Sequence, residues 1–386
     1  MTKKKTVAIL GSTGSIGINT LNVIRQSADR FRVVGLSADS NIGLLAKQAH
    51  DFRPKAVSVG RKSLVNRLKK AVPPGTLVLD GLGGLTEIAC EKDTDIVVLA
   101  ISGTVCLIPL IEAIKKGKAV ALANKEALVS AGPLVKSLAQ KHRAAMIPID
   151  SEHSAIFQCI NGKVSDVSKI YLTGSGGPLL DVPLNRFDRL SRKFILRHPR
   201  WRMGKKISVD SATMMNKGLE ILEAKYLFGV AEKDIEVLIH PEAIVHSMVE
   251  FVDGSVLAQM AVADMRLPIQ YALNFPLRAR AIVERLDFIK IGALTFRKPD
   301  EVKFPCLGLA RAAASSGGTA PAALCAADEE AVKCYLDGNI KFSRIAEIIE
   351  KVLSRHRNVK IDALSVKDIL DTDRWAREEA RSLCCL

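Results

Sequence analysis

The first 150 residues of the chain alternate short apolar runs with helical segments, a pattern that few folds accommodate. The runs are TVAIL, FRVVGLSA, AVSVG, TLVLD and DIVVLAI, and KAVALAN and AAMIPID continue the series to about residue 150. Strands that alternate with helices in this way form a parallel sheet covered on both faces. We therefore predict an α/β, Rossmann-like doubly wound domain over residues 1–149.

A glycine loop, GSTGSIG, lies at the first junction between strand and helix. Gly11, Gly14 and Gly17 there would let the backbone approach a pyrophosphate, while the helix N-terminus supplies free N–H groups. An ordinary glycine-rich turn is the alternative, but the position of the loop in the alternation favours a dinucleotide. Asp39, at the end of the second strand, would favour NAD because a carboxylate accepts a bond from a ribose 2′-hydroxyl and repels a 2′-phosphate. Alternatively, Asp39 begins the turn ADSN and faces water.

The pattern changes after residue 150. The runs AIVHSMVEFV and SVLAQMAVA are joined at Asp253-Gly254, a strong hairpin signal. From Cys306 onward, segments such as IAEIIEKVLSRH are helical in period and almost free of strand patterns. We predict a central α+β domain at 150–280, a linker at 281–303 and an all-α C-terminal domain at 304–386.

Composition restricts the class of partner. The net charge is +15, yet lysines and arginines are spread along the chain and aromatic residues make up only 5%. A nucleic-acid-binding protein is expected to cluster its basic residues and to offer aromatic stacking surfaces. We therefore expect a phosphorylated small-molecule substrate and no nucleic-acid partner.

The sequence also favours a cytoplasmic protein without a membrane partner. The apolar stretch Ile96 to Ile111 is interrupted by Gly103 and Pro109 and is too short to span a bilayer. The basic start MTKKKTVAIL leads into a strand and a glycine loop, which is not the pattern of a signal peptide. Eight cysteines without C-x-x-C spacing indicate reduced thiols.

The stretch MIPIDSEHSAIF places carboxylates at the end of an apolar run. If the strand persists, Asp150 and Glu152 project from the same side, about 6.5 Å apart along it. Two carboxylates on one side repel each other unless a cation or a proton separates them, and oxygen ligands suit magnesium or manganese. The alternative is a solvated strand end.

A third carboxylate lies in KISVDSATMMNKGLEILEA. We predict an extended entry over Ser208 to Ala212 and a helix from Met214 to Phe228, on which Asn216 and Glu220 share a face and Lys217 lies one position round. Such a helix start suits an oxyanion and a metal together. The alternative is a capped amphipathic helix with solvated charges.

These stretches belong to a longer series of motifs. In order along residues 7 to about 275, the series includes GSTGSIG, LANKEALV, PIDSEHSAIFQC, LTGSGGP, HPRWRMGKKISVDSATMMNKGLEILEA and HPEAIVHSMVEFVDGSVLAQ. In these motifs the chain resembles the 1-deoxy-D-xylulose 5-phosphate reductoisomerases, enzymes of isoprenoid precursor biosynthesis. The C-terminal part resembles the family in helical character more than in motif.

The resemblance implies a reaction and an organisation. The family uses NADPH and Mg²⁺ or Mn²⁺ to convert 1-deoxy-D-xylulose 5-phosphate into 2-C-methyl-D-erythritol 4-phosphate. A skeletal rearrangement by retro-aldol cleavage and re-addition precedes hydride reduction of the aldehyde. The resemblance also implies a homodimer, NADPH binding by residues 1–149, and catalysis, metal binding and dimerisation by residues 150–280.

Matching motif positions then implies the site residues. The metal ligands are Asp150, Glu152 and Glu220, and the catalytic residues are Lys125, Glu152 and His198. The implied substrate contacts are Lys125, Ser151, Glu152, Ser175, His198, Ser211, Asn216, Lys217 and Glu220. The implied cofactor contacts are Thr13, Gly14, Ser15, Ile16, Asn41, Asn124, Glu126 and Gly204.

The resemblance further implies a flexible flap that carries His198, Trp201 and Met203, and a functional histidine at His246. Within this flap, HPRWRMG has Arg200 and Arg202 where the usual residues are smaller and neutral. Two readings stay open for these arginines: attraction for the substrate phosphate, or solvated side chains.

Other departures concern the cofactor and the C-terminus. The family often has a basic residue after the second strand, where this chain has Asp39 and Ser40. NADPH remains the predicted cofactor because Asn41 is retained and the net charge is basic. LCAADEEAV departs from the more usual asparagine-containing version, and we assign that segment no site.

Two other functions remain open from the residues. A metal-independent dehydrogenase would keep the Rossmann-like domain but would not need the three carboxylates to converge, and its activity would survive chelation. A basic nucleic-acid-binding or scaffold protein would bind oligonucleotides with a steep salt dependence and turn over no nicotinamide.

Overall fold

The computed structural model describes residues 4–201, 203–360 and 364–385. The described strands are β1 (Lys5–Leu10), β2 (Phe31–Ala38), β3 (Ala56–Val59), β4 (Leu77–Asp80), β5 (Ile96–Leu99), β6 (Ala119–Leu122), β7 (Met146–Pro148), β8 (Val167–Gly174), β9 (Ile235–Ile239), β10 (Val245–Phe251) and β11 (Val256–Met260). The described helices are α1 (Ser15–Gln26), α2 (Ile42–Phe52), α3 (Val65–Ala71), α4 (Gly81–Cys90), α5 (Leu107–Lys115), α6 (Lys125–His142), α7 (Ser151–Ile160), α8 (Arg192–Ile195), α9 (Lys205–Thr213), α10 (Met215–Phe228), α11 (Arg266–Asn274), α12 (Phe288–Ile291), α13 (Pro305–Ser316), α14 (Ala320–Asp337), α15 (Arg344–Arg355) and α16 (Val366–Cys384).

The chain forms two compact units, and each is assembled from separate segments. The first unit contains the described residues up to Ala127, Val135–Ser154 and Asp264–Glu284. The second contains Leu128–Leu134, Ala155–Ala263 and the described residues from Arg285 onward. The predicted boundaries at 150, 281 and 304 stay a prediction.

A seven-stranded parallel sheet forms the core of the first unit, as the alternation predicts. Its order is β4-β3-β2-β1-β5-β6-β7, so the chain starts in the middle and reverses its direction of growth between β1 and β5. Residues Val7 to Leu10 of β1 are fully buried. In such sheets, ligands bind outside the carboxyl ends of the strands at the point of reversal. The loop that follows β1 lies at that point.

Helix α11 belongs to the first unit although it comes late in the chain. It packs against α1, β6 and β7, and its Ile269 and Leu273 are fully buried. Our predicted boundaries place this segment in the central domain. Sequence periodicity could not reveal the association, because the apolar face of α11 does not indicate which element covers it.

The second unit combines a small sheet with the C-terminal helices. Its sheet has the order β11-β10-β8-β9; β10 runs antiparallel to β11 and β8, whereas β8 and β9 are parallel. The predicted Asp253-Gly254 hairpin joins β10 to β11. Helix α14 packs against α13, α15 and α16, and α10 packs against α13. The fold class is therefore the predicted one: Rossmann-like α/β, then α+β, then all-α.

Two local expectations are wrong. Asp150 and Glu152 do not lie on a strand: β7 ends at Pro148, and α7 begins at Ser151. The segment Ser208 to Ala212 is not extended but lies in α9. In both segments, buried apolar side chains with helical spacing outweigh the low helix propensity of serine and threonine.

Among the described residues, no helix is both long enough and apolar enough to cross a membrane.

Candidate active site

The glycine loop after β1 has the geometry of a phosphate cradle. Gly11 has φ +90, and a Cβ there would overlap the carbonyl of Ala100 after β5; a Cβ on Gly17 would overlap the backbone of Gly11 and Ser12. Gly14 is the N-cap of α1 and provides no capping side chain. The first N–H groups of α1, at Ser15 and Ile16, therefore point from a positive helix end toward solvent. This backbone has the form expected of a pyrophosphate-binding loop, and its role stays a prediction.

The loops after β2 and β3 lie side by side at the same edge. Ala38 and Val59 are paired, and the N–H of Gly60 donates to the carbonyls of Ala38 and Asp39 at 3.0 and 2.9 Å. Asn41 caps α2, because its Oδ1 accepts from the Leu44 N–H at 3.2 Å. Its Nδ2 group is thereby oriented by the cap.

Asn124 is a structural capping residue at the start of α6. Its Oδ1 accepts from the Ala127 N–H at 2.7 Å, and its Nδ2 donates to the carbonyls of Ile101 and Gly103 at 2.6 and 3.0 Å. The side chain thus joins the loop after β5 to the loop after β6. Glu126, in the first turn of α6, is buried.

The carboxyl ends of β6 and β7 bring charged side chains together in the first unit. Lys125 Nζ lies 2.6 Å from Asp150 Oδ2, and His153 Nδ1 lies 3.9 Å from the same oxygen. Ser151 donates to Glu152 Oε2 at 2.5 Å. Lys125, Ser151 and His153 are buried. We call Lys125, Asp150, Ser151, Glu152 and His153 the N-terminal half-site.

The helix start of α10 forms a charged cluster in the second unit. Glu220 is fully buried, and its carboxylate accepts from Lys217 Nζ and Asn216 Nδ2, each at 2.5 Å. Lys217 Nζ also donates to the Thr173 carbonyl at 2.8 Å. A fully buried carboxylate requires such donors, because desolvation without compensation is costly. Asn216 and Glu220 share a face of α10, as predicted.

The turn GSGG that follows β8 is packed against this cluster. A Cβ on Gly174 would stand 2.8 Å from Lys217 Cε, and one on Gly177 would stand 2.7 Å from the Ser211 carbonyl and 3.2 Å from Ser211 Oγ. Ser175 therefore lies on a turn that touches both Ser211 and Lys217. Hydroxyls, an ammonium and backbone N–H groups form a donor set for a phosphate. We call Ser175, Ser211, Asn216, Lys217 and Glu220 the C-terminal half-site.

The predicted flap is bonded to the same turn through His198. The Nδ1 atom of His198 accepts from the N–H groups of Arg200 and Trp201 at 3.1 and 2.9 Å. In the neutral imidazole, the proton is therefore on Nε2, which lies 3.0 Å from Ser175 Oγ. This arrangement leaves the Ser175 hydroxyl proton able to donate to an anion.

Other flap residues contact the loop after β9 and strand β10. Arg200 Nε donates to the Pro241 carbonyl at 2.8 Å, and the Trp201 ring centroid lies 6.2 Å from that of His246. Met203 is half-buried, and Gly204 is the exposed N-cap of α9. Arg202 lies outside the described residues.

Sequence reasoning missed a buried carboxylate on α10. Glu223, on α10, is 1% exposed and lies one turn after Glu220. The spacing of three residues was a signal available in the sequence, because such residues share a helix face.

The fold and the glycine loop together define a class: a dinucleotide-binding oxidoreductase. Three family profiles match the chain. The profile for 1-deoxy-D-xylulose 5-phosphate reductoisomerase matches residues 7–132, that for its C-terminal domain matches 146–228, and that for the DXP reductoisomerase C-terminal domain matches 260–379.

Known relatives agree over nearly the whole length. The 1-deoxy-D-xylulose 5-phosphate reductoisomerase of Nostoc sp. is 47% identical over 379 residues, covering 97% of this chain and 95% of that protein. That of Pelotomaculum thermopropionicum is 47% identical over 376 residues, with 97% of each covered. The chain belongs to the 1-deoxy-D-xylulose 5-phosphate reductoisomerase family.

Solved structures show the same fold. The Zymomonas mobilis enzyme in complex with NADPH is 41% identical and has a TM-score of 0.92, with 99% of both chains covered. A DOX-P reductoisomerase in complex with NADPH, fosmidomycin and magnesium is 41% identical and has a TM-score of 0.94, with 98% of both chains covered. Family membership identifies the chain as an enzyme rather than a scaffold protein.

Proposed function

We propose that this chain converts 1-deoxy-D-xylulose 5-phosphate into 2-C-methyl-D-erythritol 4-phosphate with NADPH and a divalent cation, Mg²⁺ or Mn²⁺. The observation that carries the proposal is the C-terminal half-site, in which a fully buried Glu220 lies beside a donor-rich turn. This half-site occurs in a family whose solved members bind NADPH, fosmidomycin and magnesium.

Asp150, Glu152 and Glu220 are the proposed metal ligands. They offer hard oxygen donors, which suit Mg²⁺ and Mn²⁺. Asp150 and Glu220 each have a lysine ammonium within 2.6 Å, which supports a role for both carboxylates in binding positive charge. A bound divalent cation would polarise the keto and hydroxyl oxygens of the substrate.

The proposed cofactor contacts form two groups in the first unit. Thr13, Gly14, Ser15 and Ile16 would donate to the pyrophosphate from the start of α1, and Asn41 would contact the adenosine end. Asn124 and Glu126 would flank the nicotinamide end. The three hydrogen bonds of Asn124 to the surrounding loops would hold this part of the site in place. Gly204, on the flap, completes the proposed set. NADPH supplies the hydride that reduces the aldehyde.

The substrate contacts divide by chemistry. Ser175, Ser211, Asn216 and Lys217 would hold the phosphate through hydroxyl, amide and ammonium donors. Lys125, Ser151 and Glu152 would contact the reacting oxygens, where a proton must move as one carbon–carbon bond breaks and another forms. When bound groups hold the reacting atoms in place, much of the entropy cost of reaching the transition state is met at the binding step.

The flap would act by excluding water. His198 joins it to Ser175, so a phosphate bound at that serine would bear directly on the position of the flap. A closed flap would protect the aldehyde intermediate and strengthen the electrostatic contacts around it. Arg200 is held by Pro241, and we assign it a flap-positioning role.

We further propose a cytoplasmic homodimer. None of the eight cysteines, all within the described residues, forms a disulfide, which suits a reducing compartment. The edge strand β11 exposes Val256 and Leu257, each about half accessible, and could pair with a second copy of the chain.

A coupled assay tests the function. Purified protein, NADPH and 1-deoxy-D-xylulose 5-phosphate should consume NADPH absorbance only when Mg²⁺ or Mn²⁺ is present, and complete chelation should abolish the signal reversibly. Product analysis should find 2-C-methyl-D-erythritol 4-phosphate. Turnover that survives chelation would support a metal-independent dehydrogenase instead.

A further inference from the structure

The loop after β2, which in dinucleotide-binding sheets lies beside the adenosine ribose, has no basic residue at positions 39–41. Asp39 and Ser40 follow β2, and both are exposed. In dinucleotide-binding sheets, an acidic residue at this place binds the ribose 2′-hydroxyl of NAD, whereas binding of NADP needs a nearby arginine. The chain must therefore find positive charge elsewhere if it prefers NADPH.

The neighbouring strand supplies that charge. Strands β2 and β3 are parallel and paired up to Ala38 and Val59, and Gly60 is bonded to the carbonyls of Ala38 and Asp39. Adjacent strands lie about 4.8 Å apart, so the residues that follow them face the same ligand edge. Arg61 comes directly after Gly60 and is exposed.

Gly60 also determines where the Asp39 carboxylate lies. A Cβ at residue 60 would overlap Asp39 Oδ1, so the absence of a side chain lets the carboxylate lean over the end of β3. The group that would repel a 2′-phosphate thus lies against the backbone that leads into Arg61. Within the described residues, no ion pair engages Arg61, and its guanidinium stays available to a ligand.

We propose that Arg61 is the specificity-determining residue that binds the 2′-phosphate of NADPH, in place of a basic residue after β2. The planar guanidinium fork matches a phosphate in two hydrogen bonds and offsets the negative charge of Asp39. Asn41 contributes its Nδ2 group, since its Oδ1 is used by the cap of α2. This inference rests on the proposed function, because it assumes that the loop after β1 binds a nicotinamide dinucleotide.

Binding of adenosine 2′,5′-bisphosphate, measured by calorimetry, isolates the contact from catalysis. Arg61→Ala should weaken this ligand about ten- to a hundredfold, the range of one lost charge-assisted interaction, and should weaken NADPH similarly. NADH affinity should change by less than about twofold. Arg67→Ala, which removes the same charge from an exposed site on α3, is the matched control and should leave the ratio of NADPH to NADH affinity unchanged.

A second variant tests the opposing charge. Asp39→Asn should tighten adenosine 2′,5′-bisphosphate binding several-fold while Arg61 is present, and Arg61→Lys should keep part of the preference. An unchanged NADPH to NADH ratio in Arg61→Ala, or an equal loss in Arg67→Ala, would overturn the inference.

A failure of the proposed function would give a different result from a failure of the Arg61 inference. If Arg61→Ala loses only its cofactor preference and still turns over 1-deoxy-D-xylulose 5-phosphate, both statements hold. If the preference is unchanged and turnover is normal, the function stands and the role of Arg61 is wrong. If the unmodified chain turns over no substrate with either nicotinamide, the function itself is wrong.

Discussion

Glu220 is a carboxylate without solvent, and its environment explains why it should be sensitive to substitution. Its two oxygens accept from Lys217 and Asn216, so the side chain is oriented before any ligand arrives. Glu152 differs, because it is only half-buried and its neighbour Ser151 donates to it. A shared cation would make both residues parts of one electrostatic element.

Replacing Glu152 or Glu220 with Gln should lower turnover at least about a hundredfold, because each change removes a negative ligand while keeping the shape. The double variant should be scarcely slower than either single variant, since residues that act as one unit are not additive. Steady-state kinetics with titrated Mn²⁺ measure both effects. NADPH affinity should stay within about twofold.

Glu112→Gln is the control, because Glu112 forms an ion pair with Lys115 at a partly exposed position of α5. It should leave turnover near normal. Near-normal activity in Glu152→Gln or Glu220→Gln would mean that the carboxylates serve the fold rather than the metal.

His356 makes the stability of the C-terminal helices depend on pH. Its Nε2 lies 2.9 Å from Thr319 Oγ1, and its ring centroid lies 5.3 Å from that of Trp375. Burial lowers the pKa of the His356 imidazole below its ordinary 6.5. The unfolded chain therefore takes up the proton first as the pH falls, so this contribution to stability is present above about pH 6.5 and is lost below it.

The expected result is a decrease in stability between pH 7.5 and 5.5 that is smaller in His356→Gln than in the unmodified chain. Urea unfolding followed by Trp375 fluorescence, in a Trp201→Phe background, measures it. His50→Gln, at an exposed histidine, should leave the pH dependence as it was. An equal slope in His356→Gln would contradict the assignment.

At the scale of elements, the strands were easier to predict from sequence than two of the helices. The β1 to β7 runs are apolar and bounded by turn signals, so their number, order along the chain and parallel direction followed from the alternation. Helices α7 and α9 were misread because each begins with polar residues after an apolar or basic stretch. Asp150 before α7 and Gly204 before α9 were usable start signals.

The candidate site was predicted only where motifs carry it. Long-range partners, such as Lys125 with Asp150 or Ser175 with His198, depend on which strand and loop ends become neighbours. The periodicity of apolar residues in the sequence does not indicate which strand and loop ends become neighbours. The capping role of Asn124 likewise depends on two carbonyls that come from another loop.

The flap is the element whose position should depend most on ligand. Fosmidomycin with Mn²⁺ and NADPH should protect residues 197–206 from proteolysis and shift Trp201 fluorescence, because a phosphonate at Ser175 would engage the partner of His198. Trp375, in α16, provides the internal comparison. Unchanged cleavage and emission at saturating ligand would exclude a mobile lid.

Lys206 connects two helices of the second unit through buried charge. Its Nζ lies 2.6 Å from Asp210 Oδ2 on α9 and 2.8 Å from Asp328 Oδ2 on α14, and both aspartates are nearly inaccessible. Asp328 lies in the segment LCAADEEAV, which departs from the asparagine-containing version. Asp328, in this departing segment, is thus paired with Lys206.

Lys206→Met should lower the free energy of unfolding by about 3–5 kcal/mol, because it leaves buried carboxylates without their ammonium. Chemical denaturation measures this loss, and Lys205→Met at the exposed neighbour should cost little. Adding Asp328→Asn to Lys206→Met should recover part of the loss. No recovery would show that Asp328 is compensated in another way.

At the scale of the whole molecule, both units are discontinuous in sequence. The seven-stranded sheet of the first unit is covered in part by α11, which packs on α1, β6 and β7 through side chains such as Leu273. The apolar surface that α11 covers is therefore part of the core of the first unit.

Leu273→Ala should lower the free energy of unfolding of the first unit by about 2–5 kcal/mol, the cost of a cavity at a fully buried leucine. Hydrogen exchange of the β6 and β7 amides measures this locally. Leu277→Ala, at a position 62% exposed in the same segment, should change it by no more than about 0.5 kcal/mol. Equal effects of the two variants would contradict the role of α11.

The late position of α11 also determines when the first unit can mature on the ribosome. The strands of its sheet are complete once Pro148 has been synthesised, but the helix that covers part of them ends at Asn274. Translation of the intervening segment takes on the order of ten seconds, far longer than local helix or hairpin formation. During that interval, the nascent sheet exposes apolar side chains at β6, β7 and α1. Nascent chains stalled between these two points should therefore be bound by chaperones, and the first unit should become protease-resistant only after residue 274 has left the exit tunnel.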